Sequence, residues 1–155
     1  MKVSLSVQVA VARRGLPRKA AIQRWARAAL KGLRRKKVAL GVRIVAARES
    51  AALNRRYRGK SGCTNVLSFP FEAPTGTRSD MLGDLVICAP VVLREARALR
   101  RPAPAHWAHM VVHGILHLRG YDHGNKKDAV VMERREARVL RALGVANPYN
   151  PPMPL

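Results

Sequence analysis

Acidic residues are scarce in this chain. Nine Asp and Glu stand against thirty Lys and Arg in 155 residues, a formal charge of +21 at pH 7. Such a field attracts polyanions, and nucleic acid is the commonest of them, because each neutralised phosphate releases condensed counterions. Many arginines adjoin alanines, as in Ala12-Arg13-Arg14 and Arg97-Ala98, so GC-rich coding competes with binding as the source of the charge. Cysteine is scarce too: Cys63 and Cys88 stand far apart without CxxC spacing, which suits two reduced, semi-buried thiols and excludes a disulfide framework. No apolar run approaches the roughly 18 residues a membrane span needs, and the N-terminus alternates instead of forming a signal-type run. The expectation is a soluble, cytoplasmic protein without membrane partners. Repeats and internal linkers are also missing, so residues 1–155 are read as a single domain.

Val3, Leu5, Val7, Val9 and Val11 alternate with smaller or polar residues and predict a strand over Lys2 to Val11. Ile22, Trp25, Ala26, Ala29, Leu30 and Leu33 fall on one face of a following helix, with Trp25 expected in the core. A second strand is expected over Val38 to Ile44, then a short helix capped by Ser50 and stopped at Gly59. Residues Asn65 to Phe71 read as a third strand, with Pro70 at an edge or end, and Leu82 to Cys88 as a fourth. Pro90 and Pro104 suit the first turns of two helices, the second carrying His106 to Leu118. The last helix is expected over Asp128 to Leu143, and the four-proline tail Asn147 to Leu155 as extended or frayed. This order gives an α+β domain in which a small mixed sheet of about four strands lies under a helical layer.

The chemistry concentrates in His113-Gly114-Ile115-Leu116-His117-Leu118-Arg119-Gly120-Tyr121-Asp122-His123. Histidines four apart share a helix face about 6 Å apart along the axis, so both imidazoles can converge on one ion. His109 extends the stripe, but it lies about 12 Å from His117 along the axis, whereas nitrogens sharing one zinc at about 2.1 Å cannot exceed about 4.2 Å. The third ligand is therefore sought beyond Gly120, where the chain can turn back and present His123. His109 is read as a packing histidine or a partner of a ligand. Three imidazoles leave a fourth position open, as in catalytic sites. The spacing H-x3-H-x2-G-x2-H resembles that of metzincin proteases and implies a zincin-like metal-site helix, but their glutamate general base is absent: Gly114 occupies its position.

The segment AHWAHMVVHGILHLRGYDH (105–123) resembles the signature of the YbeY family, as do NRRYRGKSGCTNVLSFPFE (54–72), MLGDLVIC (81–88) and ALGVANPY (142–149). The resemblance covers nearly the whole chain. It implies a single-strand endoribonuclease that matures the 3′ end of small-subunit ribosomal RNA and serves ribosome quality control, with the small ribosomal subunit, a ribosomal protein and an assembly GTPase as partners. It further implies one zinc ion on His113, His117 and His123, and Arg58 as the arginine near the active site. Arg58 suits that place because a guanidinium can clamp a phosphate, although it could equally answer the carbonyls at its helix end. Three imidazoles would also accept nickel, cobalt or copper. Asp122 is a candidate to orient an imidazole or a solvated turn residue, and Asp84 a candidate buried carboxylate supporting a ligand or paired with arginine. Many relatives follow the third histidine with an acidic run; here Gly124-Asn125-Lys126-Lys127-Asp128 stands instead, and Lys126 and Lys127 are candidate phosphate contacts. Two rivals remain: a hydrolase of peptides or small molecules, opposed by Gly114 and the charge, and a non-catalytic RNA-binding assembly factor, in which an open coordination site has no use.

Overall fold

The period-two alternation of Val3 and Leu5 with Ser4 and Ser6 builds β1 (Lys2–Val9), which turns its apolar side chains inward. The computed structural model describes residues 1–149. Strand β2 (Lys37–Val45) buries Val38, Leu40, Val42 and Ile44 in the same way and pairs parallel to β1, Val3 opposite Val38 and Leu5 opposite Leu40. A parallel pair needs a crossover. It is supplied by α1 (Lys19–Leu30), whose buried stripe holds Ile22, Trp25, Ala26, Ala29 and Leu30. The expected stripe stops one turn early: Leu33 lies past the helix end, still packed on the core.

Four strands form one sheet in the order β1-β2-β4-β3. Strand β4 (Met81–Cys88) runs parallel to β2, and β3 (Val66–Pro70) pairs antiparallel to β4 at the sheet edge. An edge is where Pro70 is tolerated. The helices α1, α4 (Ala103–Leu118) and α5 (Lys126–Ala142) enclose the main core against Val66, Leu85 and Ile87. The alternate residues Leu67, Val86 and Cys88 point to the opposite face, where they pack with Leu53 of α2 (Ala47–Arg58) and Val91 of α3 (Ala89–Ala98). Cys88 is buried, Cys63 partly so, and both thiols are free. Among the described residues no helix is long and apolar enough to cross a membrane.

Ser50 does not cap α2. The N-cap is Ala46, four residues before Ser50, which lies inside the helix and is 2% exposed. Its hydroxyl donates to the Thr64 carbonyl at 3.0 Å and accepts the Thr64 N–H at 3.0 Å, tying α2 to the segment that enters β3. Asp84 is exposed, not buried, and no arginine pairs with it among the described residues. A register shift between Ala39 and Leu40 offsets β4 and places Asp84 on the open sheet face over Gly41, where a Cβ would come within 2.1 Å of the carboxylate. The last helix starts at Lys126, earlier than expected, because Asn125 caps it by accepting the Asp128 N–H at 2.8 Å. Of the tail, residues 150–155 lie outside the described residues.

Candidate metal centre

Helix α4 enters through Pro104 in its first turn and carries His109, His113 and His117 along one stripe. It ends as the sequence predicts. Gly120 takes φ 101°, its N–H bonds the His117 carbonyl at 2.9 Å, and the Tyr121 N–H bonds the Leu116 carbonyl at 3.0 Å. The reversal brings His123 back over the helix. Ring centroids lie 5.0 Å apart for His113 and His117, 4.8 Å for His117 and His123, and 5.5 Å for His113 and His123.

One ligand nitrogen from each of these rings lies within 4.8 Å of the others. Small ring rotations bring them inside the about 4.2 Å that two 2.1 Å bonds allow, so this donor set fits a transition metal. Burial, then the neighbouring His113 and His123, push the His117 pKa down, which favours the neutral imidazole a metal requires. His109, His113 and Glu136 form a second close group, yet these atoms pair with one another without a cation.

Glu136 is the residue that sequence reasoning missed. Its side chain is fully buried in α5. Oε1 accepts from His113 Nδ1, while Oε2 accepts from His109 Nε2 at 3.1 Å and from the Tyr149 hydroxyl. Burial works against the charged carboxylate, but the hydrogen bonds from His109, His113 and Tyr149 and the field of His113 outweigh it and hold the group down at about 2. Because Nδ1 of His113 is committed to Glu136, Nε2 is the nitrogen left to face a metal. Asp122 does not orient an imidazole: it is an exposed turn residue whose Oδ1 accepts the His123 backbone N–H at 2.7 Å.

A cleft of about 570 Å³ opens over the three histidines, and its lining includes Tyr57, Arg58, Asn65, Ser68 and Asp122. Arg58 is exposed in the last turn of α2, and no hydrogen bond or ion pair holds its guanidinium among the described residues. Its side chain donates to none of the helix-end carbonyls among the described residues. Those of Arg55 and Asn54 are met by the N–H groups of Gly59 and Lys60. A larger groove of about 850 Å³ follows the open sheet face past Gly41 and Asp84, and none of the histidines lines it.

A family model described as endoribonuclease YbeY matches residues 12–144. The chain belongs to the YbeY family. Proteins named endoribonuclease YbeY from Methylococcus capsulatus and Alkalilimnicola ehrlichii are 58% and 54% identical, over 86% and 95% of this chain and 87% and 91% of their own lengths. A third, from Stenotrophomonas maltophilia, is 47% identical over 96% of this chain and 94% of its own. The solution structure of TM1509 from Thermotoga maritima shares the fold, with a TM-score of 0.57 at 23% identity over 97% of both chains.

In this YbeY-family chain the place of the protease glutamate is closed sterically as well as chemically. A Cβ on Gly114 would meet Leu85 Cδ2 at 2.7 Å and Ser68 Oγ at 3.3 Å, and Leu85 is fully buried with little room to yield. Gly114→Ala is expected to cost about 1–3 kcal/mol in urea unfolding, as overpacking does; wild-type stability would show that α4 does not press on the sheet as described.

Proposed function

We propose that this protein is a metal-dependent endoribonuclease that cleaves unpaired segments of ribosomal RNA, at the 3′ end of the small-subunit species, and serves ribosome quality control in the cytoplasm. His113, His117 and His123 hold one zinc-type ion, and Arg58 faces them as the phosphate clamp. The observation that carries this reading is the shared cleft: a free guanidinium and an open three-imidazole site line the same cavity in a chain of charge +21. The names of the relatives supply the reaction class. When bound, the metal supplies Lewis-acid stabilisation of the charge that develops on phosphate oxygens. Arg58 can grip the same phosphate bidentately with its planar guanidinium and hold it in line. Glu136 keeps the His113 ring oriented. Tyr57, 56% exposed at the cleft rim with the Arg56 guanidinium over its ring at 5.3 Å, offers a stacking surface to an unpaired base. Lys126 and Lys127 lie exposed in the first turn of α5, a place where the helix field disfavours cations, and they extend the phosphate track.

Two measurements test the proposal. RNA affinity is expected to fall steeply and linearly in a plot of log affinity against log salt, because cations on the protein displace counterions from phosphates. The same affinity at low and high salt would mark the charge as compositional. A small-subunit RNA fragment with an unpaired 3′ extension is expected to be cut in the extension and spared in its duplex. Equal cutting of both would overturn the single-strand reading, and tight binding without cutting would favour the assembly-factor alternative. The small ribosomal subunit, a ribosomal protein and an assembly GTPase are the partners this reading brings with it.

A further inference from the structure

Helix α3 closes in an unusual way. The Arg101 N–H bonds the Ala96 carbonyl at 2.9 Å and the Arg100 N–H bonds the Arg97 carbonyl at 3.1 Å, the paired bonds of a Schellman end. The left-handed residue of that motif is ordinarily glycine; here it is Arg100, at φ 53°. The turn sends Arg101 back toward the buried side of α4. Its Nη1 lies 3.0 Å from His106 Nδ1 and 3.2 Å from His109 Nδ1.

A guanidinium only donates, so both Nδ1 atoms must accept. Each ring then carries its proton on Nε2. His106 Nε2 donates to Glu95 Oε1 at 2.9 Å, and His109 Nε2 donates to Glu136 Oε2 at 3.1 Å. In the other tautomer, His109 would turn an N–H toward the guanidinium and a lone pair toward the carboxylate, two repulsions at once. With His109 locked as a donor, Glu136 is a full acceptor, and His113 Nδ1–H donates to its other oxygen.

We propose that Arg101 is a positioning residue for the metal centre: by fixing the tautomer of His109, it orders the Glu136 carboxylate and so presents the bare Nε2 of His113. The inference rests on the reading of His113 as a metal ligand, although the tautomers themselves do not. Neither Arg101 nor His109 touches the cleft. A side chain outside the cleft thus controls one of its ligands through two intermediates.

The test combines side-chain 15N NMR of the metal-free protein with zinc titration against a chromogenic chelator, on wild type, Arg101→Met and Arg101→Lys. In wild type, His109 is expected as the Nε2–H form and His113 as the Nδ1–H form. Arg101→Met removes the donor, so His109 should become a tautomer mixture and zinc affinity should fall by about tenfold, the lower end of what losing an outer partner of a ligating histidine costs. Arg101→Lys keeps a cationic donor and should restore both readouts in large part. A wild-type His109 carrying its proton on Nδ1 would overturn the proposal even if the methionine variant failed to fold. Unchanged tautomers and zinc affinity in a folded Arg101→Met would overturn it as well. Wild type that binds no zinc but shows the expected tautomers, lost in Arg101→Met, would refute the metal reading and leave the Arg101 lock standing.

Discussion

His117→Ala is expected to drop metal content from about one ion per chain to near none and to abolish RNA cleavage. Its ring is the middle member of the triad, 5.0 Å from His113 and 4.8 Å from His123 by ring centroid. Two remaining imidazoles, one of them on an exposed turn, hold a divalent ion weakly. Lewis-acid stabilisation is worth several kcal/mol in the transition state, so the rate should fall by about 10³ or more. His109→Ala serves as the contrast. It weakens the Glu136 network but removes no ligand, so the ion should remain at stoichiometric protein concentrations. Full metal occupancy in the His117 variant, measured by elemental analysis, would contradict the assignment.

Arg58→Ala is expected to reduce cleavage by about 10² to 10³, the magnitude typical of deleting one preorganised electrostatic donor. Because the Arg58 guanidinium has no structural partner among the described residues, metal content and melting temperature should stay near wild type. RNA binding should weaken far less than cleavage, since many of the thirty basic residues share the backbone contacts. Arg58→Lys should recover only part of the rate, because an ammonium keeps the charge without the planar fork. The decisive comparison is single-turnover cleavage beside binding at matched salt. Normal cleavage by the alanine variant would remove Arg58 from the mechanism.

The histidine triad was legible because its geometry is nearly local. Two histidines one turn apart and a glycine that reverses the chain leave His123 only six residues from His117, so little tertiary information is needed to bring the three together. The alternating strands and the apolar stripe of α1 were legible for the same reason. Glu136 was not, although a signal existed: it shares an apolar stripe with Met132, Val139 and Leu140, where an unpaired carboxylate would be costly. Its partners are contributed by α4 and the C-terminal segment, and only packing reveals them. Ser50 misled because a serine near a helix start reads as a cap, whereas the hydroxyl here joins α2 to Thr64, fourteen residues on. Asp84 misled because a register shift in the sheet leaves no trace in period-two alternation. Arg101 belongs to no pattern, and its meaning comes from two histidine nitrogens that the end of α3 brings to it.

The central claim, that a three-histidine metal centre cuts RNA, is tested most directly by one preparation carried through chelation and reloading. Elemental analysis and cleavage of the small-subunit 3′ fragment are measured on the protein as purified, after exhaustive chelation and after return of stoichiometric zinc. About one ion per chain, loss of cleavage on chelation and recovery on reloading are the predicted results. Undiminished cleavage by protein shown to be free of metal would contradict the account.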